Sequence, residues 1–137
     1  TLMARHNELG LAGEEEACRY LMHRGYRLLD RNWRVGHLEL DIVADYYGEI
    51  VFVEVKTRSS QTQVPVEAAV NLEKQKNILE AAHHYILDKH LDQPFRFDII
   101  TVVGERRPFE IQQIENAFDS ETLRYQKKYG VAKTSFQ

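Results

Sequence analysis

The chain has 137 residues, and its 18 lysines and arginines against 21 aspartates and glutamates give a formal net charge of −3 with histidine neutral. This length suits a single domain, and a composition of 43% hydrophobic and 28% charged residues excludes disordered and fibrous proteins. The mild acidity argues against a protein whose whole surface binds nucleic acid, although a local basic patch remains compatible with it. The single cysteine, Cys18, excludes an intramolecular disulfide framework and a thiolate-based structural zinc site.

The chain shows no sign of membrane or export function. No run approaches the roughly 20 apolar residues that span a bilayer, and the first residues lack the features of a signal peptide. We therefore expect a cytoplasmic protein without membrane contact. No repeat or linker divides the sequence, so we expect one domain over residues 1–118 and a weakly helical tail over residues 119–137.

The first predicted element is a helix from Ala4 to Arg24, which Gly25 terminates. An apolar stripe at helical spacing also carries Glu14; its members are Leu11, Ala17, Cys18 and Leu21. Gly10 and Gly13 weaken the helix, which indicates that another part of the chain approaches its backbone there.

Three predicted strands follow the helix. A short strand at Tyr26–Leu29 leads through a polar stretch to Leu38–Ala44, and then to Ile50–Thr57. The residues between the last two runs include Tyr47-Gly48, a pair that suits a two-residue hairpin turn.

The second half of the chain predicts a helical crossover. Pro65 opens a short helical turn, Asn71 caps a helix from Leu72 to about His90, and strands follow at Phe95–Val103 and Phe109–Ile114. A strand, a crossover helix and a further strand imply a parallel pair beside the antiparallel hairpin. The predicted class is therefore α/β with a mixed sheet.

The hairpin register can be predicted from alternation. Two apolar rows share a face when Leu40 pairs with Val55, Ile42 with Val53, and Ala44 with Val51.

The same register places acidic residues on the opposite face. Asp41 then lies across from Glu54, and Glu39 lies across from Lys56. Two facing carboxylates repel unless a proton or a cation lies between them. We expect the first helix to cover this face and to add Glu14 to it.

Two interpretations fit these charged residues. In an ordinary hairpin they would line a solvated sheet face. The convergence of three acids and a lysine instead favours a site for Mg²⁺, which takes oxygen ligands and supports phosphodiester hydrolysis.

Asp41 followed by Glu54-Val55-Lys56 resembles the D…(D/E)-x-K signature of the PD-(D/E)XK nuclease superfamily. A longer ordered set resembles the YraN family of bacterial proteins, which is related to archaeal Holliday-junction resolvases. The matching segments are Asn7-Glu8-Leu9-Gly10, Gly13-Glu14, Gly25-Tyr26-Arg27-Leu28-Leu29, Arg31-Asn32-Trp33-Arg34, Glu39-Leu40-Asp41-Ile42-Val43, Val51-Phe52-Val53-Glu54-Val55-Lys56-Thr57-Arg58 and Asn116-Ala117-Phe118.

The resemblance implies a restriction-endonuclease-like mixed sheet flanked by helices, with an αβββαβ core. It implies that Asp41, Glu54, Glu14 and the Val55 carbonyl bind Mg²⁺ or Mn²⁺, and that Lys56 is the catalytic lysine. It also implies that Gln75 lies toward the substrate backbone.

Several further residues have two interpretations. Glu39 is either an extra ligand or, as we prefer, a salt-bridge partner of Lys56. Gln75 either contacts substrate or satisfies a buried backbone group. Asp98, in an apolar strand, is expected to make a structural hydrogen bond, and Cys18 is expected to pack in the core. The isolated His6, His23, His37 and His90 are read as surface residues, and the adjacent His83 and His84 lack the i, i+4 spacing of two helical zinc ligands.

We therefore expect a Mg²⁺- or Mn²⁺-dependent nuclease that acts on DNA, with branched DNA as a candidate substrate and a homodimer as a candidate assembly. Basic side chains for phosphate contacts include Arg34, Arg58 and Lys74. The alternatives are a nuclease-like module that binds nucleic acid or a protein without cutting, and a purely structural module.

Overall fold

A computed structural model describes the backbone of residues 2–59 and 70–121 and the side chains of residues 8–59 and 70–121. Within these ranges the helices and strands are, in chain order, α1 (Leu2–His23), β1 (Arg27–Val35), β2 (Leu38–Tyr46), β3 (Glu49–Arg58), α2 (Leu72–Asp88), β4 (Phe95–Val103) and β5 (Glu110–Phe118). Neither helix of this described part is long and apolar enough to cross a membrane.

The strands form one sheet in the order β1-β2-β3-β4-β5. Neighbouring strands are antiparallel except β3 and β4, which are parallel and have α2 between them in the chain. Helix α1 packs on one face of the sheet, against Ile42, Ala44 and Val53, and α2 packs on the other, against Val43 and Phe52. The predicted class is confirmed: the protein has a mixed α/β sheet flanked by helices, consistent with a restriction-endonuclease-like fold.

Local signals placed the helix ends and the hairpin turn correctly. Gly25, which follows α1, has a φ of 90° that favours glycine. The Asn71 side chain accepts a hydrogen bond of 2.9 Å from the Lys74 N–H and so caps α2. Tyr47 and Gly48 both have positive φ, at 50° and 93°, as a two-residue hairpin turn requires.

The two edge strands are longer than predicted. Strand β1 continues to Val35 because its polar residues pair with β2, as Arg31 does with Ile42. Strand β5 continues to Phe118, which pairs with Phe97. Polar side chains are tolerated there because an edge strand exposes much of its surface. The helical turn predicted at Pro65 and the tail beyond Glu121 lie outside the described residues.

The predicted hairpin register is correct at one end and wrong at the other. Ile42 pairs with Val53 and Ala44 with Val51, as predicted. The ladder ends at the Ile42–Val53 pair, however, so Leu40 and Val55 are not partners. Alternation breaks at Asp41, because Leu40 packs in the core beside α2 whereas Ile42 packs in the core beside α1. Strand β2 therefore separates from β3 at Asp41.

Candidate functional site

Glu54 is a buried acid in the middle of the sheet, with 4% of its surface exposed. Its neighbours Val53 and Val55 pack toward α1, so alternation directs Glu54 toward α2. There its Oε2 lies 3.5 Å from the Lys74 Nζ. The prediction that α1 covers the acidic face is wrong, because α1 seals the apolar face of the hairpin instead.

Asp41 reaches the same region from the break in β2. Its Oδ2 accepts a hydrogen bond of 2.9 Å from the Val55 N–H, so a side-chain oxygen takes a position that a ladder carbonyl would otherwise occupy. Asp41 and Glu54 are thus neighbours, although they are not paired across the ladder as predicted.

The pKa of Glu54 is raised to about 9, chiefly by burial, then by a hydrogen bond with Asp41 and by the negative charge of Asp41. The positive charges of Lys74 and Lys56 act in the opposite direction. The raised pKa favours the protonated form of Glu54 when no cation is bound.

Glu14 approaches Asp41 from α1. Its Oε1 accepts a hydrogen bond of 2.8 Å from the Asn32 Nδ2 and lies 3.5 Å from an Arg31 guanidinium nitrogen. Burial, followed by the negative charge of Asp41, raises the pKa of Glu14.

Asn32 and Arg31 therefore hold Glu14 in place, a role that was not predicted from the sequence. Asn32 has a φ of 51°, a conformation that asparagine tolerates better than most residues. The sequence did carry a signal for this role, because Arg31 and Asn32 belong to one of the segments on which the family resemblance rests.

An open cavity of about 620 Å³ connects these groups, lined by Gly10, Leu11, Glu14, Asp41, Val55, Lys56 and Thr57. It brings Glu14, Asp41 and Lys56 to one place, as the sequence predicted. Leu11, which belongs to the apolar stripe predicted for the first helix, is 66% exposed at this cavity. Glu54 is not among the described lining residues and joins the site through Asp41.

The acids form two pairs that share Asp41: Glu14 with Asp41, and Asp41 with Glu54. Among the described side chains, those of residues 8–59 and 70–121, there is no cluster of three or more His, Cys, Asp or Glu residues that could hold a metal ion. The donor set nevertheless suits a hard divalent cation, because carboxylate and carbonyl oxygens are its preferred ligands and the pair of half-buried Asp41 and buried Glu54 requires a proton or a cation.

Comparison with known proteins places the chain in a family. A family model described as "Uncharacterised protein family UPF0102" matches residues 13–102, which include every acid of the site. The chain belongs to the UPF0102 family. UPF0102 proteins from Bacteroides thetaiotaomicron and Phocaeicola vulgatus are 53% and 48% identical to it, each over 85% of this chain and 96% of their own length. A UPF0102 protein of Flavobacterium psychrophilum is 40% identical over 85% of this chain and 98% of its own.

Two of the basic residues predicted to contact phosphate form ion pairs with acidic side chains of the same chain. Lys74 pairs with Glu54, and Arg34 pairs with Glu39 at 3.3 Å. The predicted salt bridge between Glu39 and Lys56 is wrong, because β1 places Arg34 directly opposite Glu39. Arg58 lies at the end of β3, where its carbonyl accepts from the Gly104 N–H at 2.9 Å.

Gln75 has the structural role that was one of its two predicted alternatives. It is 5% exposed, and its Nε2 donates a hydrogen bond of 2.9 Å to the Val70 carbonyl. Its Oε1 is buried without a hydrogen-bond partner in the described part of the chain. Contact between Gln75 and a substrate stays a prediction.

Asp98 and Cys18 also have the structural roles expected of them. Asp98 is fully buried and accepts hydrogen bonds from Arg96, Gln113 and the Asn116 N–H. Cys18, a residue of α1, is 1% exposed and packs in the core between α1 and the sheet. His23, His37 and His90 are exposed, as predicted, and the adjacent His83 and His84 are exposed as well. The side chain of His6 lies outside the described residues.

Proposed function

We propose that this UPF0102 protein is a divalent-metal-dependent endonuclease that hydrolyses DNA phosphodiester bonds, with branched or otherwise structured DNA as its substrate. The observation that carries the proposal is Glu54, whose pKa is raised to about 9 beside Asp41 in a buried strand. Acids with strongly perturbed pKa values concentrate at functional sites. The resemblance to PD-(D/E)XK nucleases, the YraN family and archaeal Holliday-junction resolvases supports the same activity.

Asp41, Glu54, Glu14 and the Val55 carbonyl would hold Mg²⁺ or Mn²⁺. A bound divalent ion supplies Lewis-acid stabilisation of the negative charge that develops on a phosphate during hydrolysis. The Val55 N–H fixes one oxygen of Asp41 and leaves its remaining lone pairs available. Asn32 and Arg31 orient Glu14 toward the same cavity.

Lys56 is the proposed catalytic lysine. It lines the cavity with Asp41 and Glu14, and its charge acts on Glu54. In this position an ammonium group can orient a water molecule or a phosphate oxygen next to the acids. Arg58, at the end of β3, and Lys74, in the first turn of α2, would add positive charge for the DNA backbone.

A cleavage assay tests the proposal. Labelled linear, flapped and four-way-junction DNA is incubated with the protein in Mg²⁺, Mn²⁺ or EDTA. We expect metal-dependent cleavage that falls roughly 100-fold or more in Asp41→Ala and Lys56→Ala, the usual cost of removing a group that stabilises transition-state charge.

Glu39→Ala is the matched control, because Glu39 is a nearby β2 acid that pairs with Arg34. It should cleave like the wild type. Cleavage that persists unchanged in Asp41→Ala would come from a contaminant and would overturn the assignment.

A second candidate is a module that binds nucleic acid without cutting it. The observation in its favour is the Lys74 ammonium group, which lies 3.5 Å from Glu54 and already supplies positive charge there. This function predicts salt-dependent DNA binding that EDTA does not change, with no hydrolysis. Metal-dependent turnover lost in Glu54→Ala would exclude it. Cytoplasmic location and homodimer assembly stay predictions under either function.

A further inference from the structure

A second cavity lies on the opposite flank of α1 from Glu14. Glu14 faces β1 through Asn32, whereas the residues of this cavity face the connection between β4 and β5. The cavity has a volume of about 460 Å³ and is here called the α1–β5 groove. It is lined by Glu16, Arg19, Tyr20, His23, Arg24, Arg107, Pro108, Phe109 and Ile111.

The groove carries excess positive charge. Its described lining includes the guanidinium groups of Arg19, Arg24 and Arg107, against the single carboxylate of Glu16. Glu16 accepts hydrogen bonds from both Arg19 and Arg107, so these two side chains from distant parts of the chain converge on it. Guanidinium groups have five N–H donors, and one carboxylate leaves several of them available for a phosphate.

Aromatic and apolar side chains form the rest of the groove. The Arg24 guanidinium lies 4.5 Å from the centre of the Tyr20 ring, and Phe109 and Ile111 line the opposite wall. A hydrogen bond from the Gly104 N–H to the Arg58 carbonyl ties this wall to β3. A Cβ atom at Gly104 would lie 3.0 Å from the Phe109 ring, so glycine lets that ring pack against the loop.

Positive charge beside aromatic side chains is the combination that binds unpaired nucleotides, since arginines contact the phosphates while rings stack on exposed base faces. Duplex bases are already stacked on one another and leave the aromatic wall without a partner. A volume of about 460 Å³ is in the range for sites that hold one small ligand.

We propose that the α1–β5 groove binds an unpaired nucleotide of single-stranded DNA. The choice of DNA as the ligand rests on the proposed function, but binding in this groove requires neither the acids nor a metal ion. The groove would hold the displaced strand of a flap or branch on the side of α1 that faces away from Glu14.

Fluorescence anisotropy tests the proposal with a labelled oligothymidylate of ten nucleotides. The measurements are made in EDTA and at several salt concentrations. We expect Arg107→Ala to weaken binding roughly fivefold and to reduce the slope of log affinity against log salt by about 0.7, the value for one lost phosphate contact to a single strand. We expect Phe109→Leu, which preserves apolar packing, to weaken binding by a similar factor with an unchanged salt slope.

Arg106→Ala is the matched control, because Arg106 is an exposed arginine of the same loop that does not line the groove. Equal losses in Arg106→Ala and Arg107→Ala would overturn the proposal. So would equal binding of the oligothymidylate alone and of its duplex with the complementary strand, or Phe109→Leu binding like the wild type. Because the assay contains EDTA, a groove variant that fails to bind and a protein that fails to cleave are separate results.

Discussion

Asp98 and Glu54 are both buried carboxyl groups, but hydrogen-bond donors surround Asp98 whereas Glu54 lies beside another acid. Asp98 is fully buried, and three residues, with Arg96 among them, donate hydrogen bonds to it. Glu54 is 4% exposed and faces another acid, with the Lys74 ammonium group 3.5 Å away. A satisfied buried charge indicates a structural role, whereas facing acids cost stability that a purely structural site has no reason to keep.

Glu54→Gln should change the pH dependence of stability. The folded-state pKa of Glu54 is about 9 and its ordinary value is 4.5. The folded chain therefore binds more protons than the unfolded chain between these pH values, and stability from this group is full below about 4.5 and lost as pH rises through 9. In EDTA, we expect the unfolding free energy of the wild type to decline more steeply from pH 5 to pH 9 than that of Glu54→Gln.

Urea denaturation at several pH values measures this difference. At pH 9 the variant should be the more stable protein, because a neutral amide does not acquire a buried charge. Parallel pH profiles of the two proteins would mean that Glu54 is not held protonated. Glu39→Gln, which changes a more exposed acid of β2, serves as the control and should follow the wild type.

Asp98→Asn should have the opposite effect on stability. The substitution leaves the Arg96 guanidinium, whose side chain is 9% exposed, without its nearest buried carboxylate. We expect a loss of roughly 3 kcal/mol at pH 7, the lower end for a broken buried ion pair, because Glu49 still pairs with Arg96. Urea denaturation measures the loss, and an unchanged midpoint would contradict the structural role of Asp98.

At the scale of elements, the contact between α1 and β3 determines where Glu14 lies. A Cβ atom built at Gly13 would lie 2.6 Å from the Thr57 Cγ2 and 2.9 Å from its Cβ. Only glycine lets the helix approach the strand this closely. At Gly10, by contrast, a Cβ atom would meet nothing within 4 Å. The sequence predicted a close approach at both glycines, and the structure confirms it for Gly13 alone.

This difference provides a matched pair of helix substitutions. Gly13→Ala should destabilise the protein by roughly 1–3 kcal/mol, because the added methyl group pushes α1 away from Thr57. Gly10→Ala should stabilise it by about 0.8–1 kcal/mol, the difference in helix propensity. Thermal melts of both variants check the prediction, and a fall of similar size in both would show that the contact with Thr57 is not responsible.

The sequence predicted elements well where local residues control the geometry. Gly25, the Tyr47-Gly48 turn and Asn71 each act within a few residues, and each prediction is confirmed. The break in β2 could not be predicted from alternation, because it depends on a hydrogen bond between Asp41 and the Val55 N–H, fourteen residues away. For the same reason the sequence identified Asp41, Glu14 and Lys56 as neighbours but assigned the wrong helix to the face that carries Glu54.

At the scale of the whole molecule, the candidate site joins α1, β2 and β3, which supply Glu14, Asp41 and Glu54 respectively. The formal net charge of −3 includes these acids, so one bound divalent cation changes it to −1. Part of the negative charge of the chain therefore comes from the acids of the site. The net charge does not by itself argue against a nucleic-acid substrate.

Because a metal ion would bind groups from three elements, it should stabilise the folded chain as a whole. A ligand that binds only the folded state at ten times its Kd contributes about 1.4 kcal/mol, which corresponds to a rise in Tm of roughly 3–6 °C for a domain of this size. We expect this rise with Mn²⁺ or Mg²⁺ in the wild type and in Glu39→Gln, and its loss in Asp41→Asn. The rise should be larger at pH 8.5 than at pH 6.5, since metal binding competes with protonation of Glu54, whose pKa is raised. An equal rise in Asp41→Asn would place metal binding elsewhere on the protein, and the acids of this cavity would then need no cation to explain them.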